Sequence, residues 1–147
     1  MKVERAMSRD VRVATPGQTI AEAAQIMAEI DTGVLPVGAD DRLIGMITDR
    51  DIAIRGIAKG CGPDTKVHQV MTADVKYCFL DEDIAHIAKN MGDLQIRRLP
   101  VLDRQKRLVG ILSLGDIVNE DKSSATTALH AVSAPGGMHG QSMAGGR

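Results

Sequence analysis

The sequence predicts a mixed α+β protein (α/β-like) in which one β-α-β-β-α unit is built twice. Three observations carry that expectation. The stretch LIGMITDRDI at Leu43–Ile52 recurs as LVGILSLGDI at Leu108–Ile117. Apolar side chains switch between a period of two and a helical period in the same order in both halves. Turn-forming residues separate these runs at matching places.

The repeat governs the architecture and reaches well beyond that stretch. VERAMSRD at 3–10 aligns with VHQVMTAD at 67–74, and VRVAT at 11–15 with VKYCF at 75–79. TIAEAAQIMAEI at 19–30 aligns with DIAHIAKNMGDL at 83–94, and GVLPV at 33–37 with RRLPV at 97–101. In the first element of each unit, Val11, Val13 and Thr15 alternate with Arg12 and Ala14, and Val75, Tyr77 and Phe79 with Lys76 and Cys78. That is a strand pattern. Ile20, Ala23, Ala24, Met27 and Ile30 then recur at helical spacing, as do Ile84, Ile87, Ala88, Met91 and Leu94. Thr19 and Glu22 have capping-box spacing at the first helix start, and Asp83 is the N-cap of the second. Two short strands follow, around VLPV and LIGMI and around RLPV and RLVGIL, and a last helix begins just after Thr48 or Ser113. Pro36 and Pro100 fall inside the second strand, so they must sit where the ladder needs no donor. The expected organisation is residues 3–60 for one repeat, 67–121 for the other, and a small, polar, Gly-rich tail at 122–147 expected to be flexible.

Bulk properties narrow the function classes. Each half, at about 70 residues, is too small to be comfortable alone, so the halves should share a core. A formal charge of −1 and a pI near 6.4 argue against nucleic acid as the partner. The N-terminus MKVERAMSRD lacks a signal-peptide core and no apolar run reaches membrane-spanning length, so a cytoplasmic protein off the membrane is expected. Two cysteines, Cys61 and Cys78, are too few for a disulfide framework. Cys61 and His68 lie near the inter-repeat joint, but without a CxxC or compact ligand set no metal site is assigned; two chains at an interface would be needed to supply four ligands. Phosphate loops, zincin motifs and nucleophile elbows are missing, so the reading is of a non-catalytic protein.

The tandem units, the Gly-h-h-[Ser/Thr]-x-x-Asp signature (h, apolar) and the apolar-x-Pro second strand resemble a pair of cystathionine-β-synthase (CBS) domains, a Bateman module. The resemblance covers about residues 3–121 and is nearest to small free-standing bacterial CBS pairs. It implies two sheets packed together about a pseudo-two-fold axis, leaving two clefts. It further implies a regulatory ligand such as AMP, ADP, ATP, NAD or S-adenosylmethionine, no required cofactor, a homodimer, and a target protein that the chain does not name.

Within that frame Thr48, Asp51, Ser113 and Asp116 are the candidate nucleotide grip. A helix start after Thr48 would offer unpaired N–H groups and a hydroxyl to phosphate. A carboxylate one turn in can accept from two ribose hydroxyls. The same [Ser/Thr]-x-x-Asp spacing is also an ordinary capping box that binds nothing. The copies are unequal. Arg50 in the first is a further phosphate candidate or a solvated first-turn charge. The second has Leu114 and Gly115 there and carries Arg97–Arg98 where the first has Gly33–Val34, with Arg98 the candidate and plain surface charge the alternative for both. Val13, Thr15 and Val34, with Tyr77 and Phe79, are candidates for an adenine slot or for core filling. The competing reading is a dimerising scaffold with vestigial clefts, associating through Ile52, Ile54, Ile57, Ile117 and Val118.

Overall fold

The computed structural model describes residues 1–94 and 96–120; the predicted tail at 122–147 lies outside the described residues. The elements run α1 (Val3–Ala6), α2 (Ile20–Ile30), β1 (Val34–Ala39), β2 (Arg42–Thr48), a π-helix (Asp51–Gly56) with a 3₁₀ turn (Ile57–Lys59), then α3 (Val67–Val70), β3 (Cys78–Phe79), α4 (Ile84–Leu94), β4 (Arg98–Leu102), β5 (Leu108–Ser113) and α5 (Leu114–Glu120). Among the described residues no helix is long and apolar enough to cross a membrane.

The chain forms two compact units. The first is Arg12–Val75; the second joins Met1–Val11 to the chain from Lys76. The leading segment of each sequence repeat is therefore exchanged. Val67 and Val70, which precede the second repeat, are buried with Ala14, Ile20, Leu35, Val37 and Ile47 of the first unit. Val3 and Met7 are buried with Ile84, Ile87, Met91, Val101 and Leu112 of the second. Both cores are almost wholly aliphatic, as a chain with one Tyr, one Phe and no Trp requires.

Helix α2 forms because Thr19 closes a capping box: the Glu22 N–H donates to the Thr19 hydroxyl at 3.1 Å and the Thr19 N–H donates to the Glu22 carboxylate at 3.1 Å. It stops at Asp31, whose left-handed backbone (φ 52°) turns its N–H onto the Met27 carbonyl. In α4 the Asp83 carboxylate accepts from the Ala85 N–H at 2.8 Å, the expected N-cap. Ile20, Ala23 and Met27 of α2 are buried, but Ala24 and Ile30 of the expected stripe are exposed.

The hairpins β1–β2 and β4–β5 are antiparallel, and they explain the prolines. Pro36 pairs with Met46 and Pro100 with Ile111. The Met46 N–H and carbonyl both bond outward to Thr72 (2.9 and 2.8 Å), and those of Ile111 to Ser8 (3.0 and 2.9 Å). Each proline thus occupies a non-hydrogen-bonded pair, where a missing donor costs the hairpin nothing.

Two expectations need correction. The predicted first strands shrink to a single parallel bridge, Ala14 to Val37, and to the two-residue β3 beside β4. Ala14 and Cys78 are buried, while Val13 and Tyr77 are exposed, so neither Val13 nor Tyr77 fills the core. The predicted regular helix after Thr48 is instead a wide π turn. The Ile57 N–H reaches the Ile52 carbonyl, five residues back, as well as that of Ala53. Gly56 allows the close approach there, since a Cβ would sit 3.3 Å from Ile20 Cδ1.

Candidate functional site

In both units the end of the second hairpin strand carries a hydroxyl locked to a carboxylate. In the first, the Thr48 N–H donates to Asp51 Oδ2 at 3.0 Å and the Asp51 N–H donates back to Thr48 Oγ1 at 2.9 Å. The second repeats this: Ser113 N–H to Asp116 Oδ2 at 2.9 Å, and Asp116 N–H to Ser113 Oγ at 3.1 Å. Each spacing is therefore a formed capping box. The N–H groups expected to be unpaired are taken, for the Asp49 N–H donates to the Gly33 carbonyl and that of Arg50 to the Asp49 carboxylate. What remains is side-chain capacity. A hydroxyl that accepts through oxygen keeps its hydrogen, and a carboxylate with one oxygen engaged keeps further lone pairs.

The two ends differ in their surroundings. Thr48 and Asp51 are the buried polar residues of the first unit, 3 % and 8 % exposed. Burial pushes the Asp51 carboxyl above its ordinary range, although its Thr48 bonds and the nearby Arg55 and Arg50 pull it down. Ser113 and Asp116 are half-buried. Across the hairpin, Val34 is the register partner of Thr48, whereas Arg98 is the partner of Ser113. Directly opposed residues project from the same face of the sheet, so Ser113 has a guanidinium beside it where Thr48 has an isopropyl group. Arg98 is half-buried; burial lowers its pKa while the Asp116 charge raises it.

Of the predicted residues, the structure groups Val34 with Thr48 and Asp51, Arg50 within electrostatic reach of Asp51, and Arg98 with Ser113 and Asp116. Val13 and Thr15 flank the Ala14–Val37 bridge and so lie further along β1 than Val34. Phe79 lies beside Leu102, at the other end of β4 from Arg98 and about 13 Å along the strand. Arg104 covers one face of its ring at 4.2 Å, held by paired bonds of 2.9 and 2.7 Å to Asp81. Tyr77 meets Phe79 edge to face at 5.6 Å. These two aromatics form a surface cluster with Arg104 and do not face the Ser113–Asp116 pair.

Sequence reasoning missed Arg55. Its Nη1 donates to the Met71 carbonyl at 3.2 Å and Thr72 Oγ1 at 3.3 Å, and stands 3.9 Å from Asp51 Oδ1. It ties the leading segment of the next repeat to the site, and its i+4 spacing from Asp51 is the signal that was available. An open hollow of about 270 Å³ lies between α2 and the second helical run, lined by Met27, Asp31, Thr32, Asp49 and Ile52 but not by Thr48 or Asp51. Among the described residues, no three His, Cys, Asp or Glu side chains converge as a metal would require.

The cysteines are distinct in chemistry. Burial pushes the Cys78 thiol up to about 12, with the Glu82 charge adding to the shift, whereas Cys61 is half-buried in the inter-repeat loop. At neutral pH a maleimide is expected to label Cys61 in the native protein and to reach Cys78 only after unfolding, which mass spectrometry of the labelled peptides would show.

Comparison with known proteins agrees with this geometry. The CBS domain family model matches twice, over residues 3–55 and 67–123. The chain is 39 % identical over 130 residues to the CBS domain-containing protein YhcV of Bacillus subtilis, spanning 85 % of this chain and 92 % of that one. It is 43 % identical over 102 residues to hypoxic response protein 1 of Mycobacterium tuberculosis, spanning 68 % and 71 %. Among solved structures, the CBS domain pair of protein MJ0100, in complex with 5′-methylthioadenosine and S-adenosyl-L-methionine, superposes with a TM-score of 0.71 at 30 % identity, covering 81 % of this chain and 98 % of that one. The duplicated fold, the exchanged leading segments and these matches establish that the chain belongs to the CBS-domain family and carries two CBS domains in tandem.

Proposed function

We propose that this protein is a non-catalytic regulatory module that binds an adenosine-containing ligand at its hydroxyl–carboxylate ends. The observation that carries this is the duplication of one arrangement at one place in the fold. Thr48 with Asp51, and Ser113 with Asp116, each keep a hydroxyl hydrogen and carboxylate lone pairs after the capping box has formed. A ribose supplies vicinal hydroxyls to the acid, and a 5′ substituent lies toward the alcohol. A related CBS pair carries adenosine derivatives, which supports the same ligand class here. Binding would act by its differential affinity for two states of the module, and so on a partner protein.

The test is thermal unfolding with AMP, ADP, ATP, NAD and S-adenosylmethionine. Ligand at a hundredfold excess over its dissociation constant stabilises the native state by about 2.7 kcal/mol. A flat response to all five removes the proposal.

One observation favours a second reading, a scaffold that works through a dimer. Ile54 and Ile57 are 47 % and 56 % exposed on the helical run after Thr48, and Val118 is exposed on α5. Ile52 is half-buried and Ile117 fully buried, so the candidate face is smaller than the sequence indicated. Native mass spectrometry of freshly purified protein, reading both the oligomer mass and any carried small molecule, separates the two.

A further inference from the structure

We infer that Arg55 is a positioning residue that couples the Thr48–Asp51 site to the leading segment of the second repeat, so that a ligand bound at Asp51 holds Met71–Thr72 in place. This rests on the adenosine-ligand reading above and adds the regulation of that one site. A single nitrogen carries the geometry. Arg55 Nη1 donates to the Met71 carbonyl at 3.2 Å and to Thr72 Oγ1 at 3.3 Å, which uses both of its hydrogens. Asp51 Oδ1, at 3.9 Å, is therefore held by charge alone, beyond hydrogen-bond length. Because the Thr48 N–H engages Oδ2, Oδ1 is the oxygen that a ribose hydroxyl would meet.

Arg55 thus has two alternative sets of acceptors. With Met71–Thr72 in place it is spent on that segment, and Oδ1 is left to the ligand. When the segment lifts, Oδ1 becomes the acceptor within reach, and a guanidinium–carboxylate bond there competes with the ribose. Ligand and lifted segment therefore oppose each other, and by linkage each biases the other by the same factor. The segment is closed by two Thr72–Met46 backbone bonds of 2.8 and 2.9 Å, a few residues before the chain enters the second unit at Lys76. The second unit repeats that backbone pair, as Ser8 with Ile111, but not the arginine, since its aligned residue is Glu120. It also has the α-helix α5 where the first unit has the π turn that carries Arg55. The link is a property of the first unit.

The experiment is hydrogen exchange of the full chain, alone and with AMP, ADP, ATP, NAD or S-adenosylmethionine, for the wild type, Arg55→Ala and Arg55→Lys. A bound compound is expected to slow exchange at the Met46 and Thr72 amides about five- to tenfold, and to leave the Ser8 and Ile111 amides unchanged. Arg55→Ala should abolish that protection, and Arg55→Lys, which keeps a charged donor, should restore part of it. Calorimetric titration adds a cycle. Thr72→Val should weaken binding about fivefold in the wild type and not at all in Arg55→Ala. Equal protection in both units, or protection that survives in an Arg55→Ala protein melting like the wild type, overturns the inference and leaves the adenosine reading standing. Binding without protection at Thr72 does the same. If none of the five compounds binds the wild type, both fall. Where Arg55→Ala does not fold, Arg55→Gln carries the same comparison.

Discussion

Gly110→Ala is expected to cost about 3 kcal/mol of stability and to lower the melting temperature by about 10 °C. A Cβ at that position would lie 2.7 Å from Met7 Sδ and 2.8 Å from the Ser8 carbonyl oxygen. The methionine can move, but the carbonyl cannot yield freely. Ser8 and Ile111 exchange two backbone bonds, of 2.9 and 3.0 Å, that close the sheet edge. Moving Ser8 away breaks both, at about 1 kcal/mol each, and withdraws Met7 from the core. Gly45→Ala should behave alike, because the Cβ meets Met71 Sδ at 2.7 Å and the Thr72 carbonyl at 2.9 Å. Gly17→Ala is the control. Nothing lies within 4 Å of its Cβ, so its effect should be neutral or slightly stabilising. Calorimetry gives the melting temperatures, and hydrogen exchange at the Ser8 and Ile111 amides shows whether the edge has opened. A Gly110→Ala protein that melts within about 2 °C of the wild type would refute this account of the signature glycine.

That glycine shows how much of the fold the sequence made legible. Its recurrence in LIG and LVG marked it as part of the repeated signature, but not what approaches it, because the contact comes from leading segments that sit far away in sequence and are exchanged between units. Local signals read well. The Thr19 capping box, the Asp83 N-cap and the proline positions all follow from chemistry within a few residues of each. Signals that depend on the rest of the fold read poorly. Alternation identified an extended segment at 11–15 but left its faces open, and it is the small Ala14 and Cys78 that are buried while Val13 and Tyr77 are exposed. No local pattern distinguishes a π turn from an α turn, so Asp51–Gly56 was read as ordinary helix. At the candidate site the residue types were legible, as was the Arg98 asymmetry. The saturation of the helix-start N–H groups was not, because the Asp49 N–H finds its acceptor at Gly33, across the hairpin.

Asp51→Asn should separate stability from ligand binding, with opposite signs. Burial raises the folded-state pKa of Asp51 above its unfolded value near 3.8, outweighing Thr48 and the two arginines. A group shifted upward contributes its full stability below the unfolded pKa and loses it as pH rises through the folded one. At neutral pH the ionised carboxylate is therefore a net burden on folding. Asparagine keeps the shape, and its amide oxygen can still accept from the Thr48 N–H, so the capping box survives. The variant should be as stable as the wild type or more so at pH 7, with the difference closing as pH falls toward 3.8 and below. Asp51→Ala, which also loses the box, should instead cost about 1 kcal/mol. Ligand response should move the other way. A neutral amide forms a weaker bond to a ribose hydroxyl than a carboxylate does, so each Asp→Asn change should remove about 1.5–3 kcal/mol of binding. The double variant Asp51→Asn with Asp116→Asn should then show almost no nucleotide-dependent thermal shift, and the wild-type shift should fade as acid protonates Asp51. Calorimetric unfolding from pH 4 to 8, with and without AMP or adenosine, measures both quantities on the same samples. A fold that keeps a buried, costly carboxylate at Asp51 needs a compensating use for it. If the double variant retains the full shift, that use is not ribose recognition.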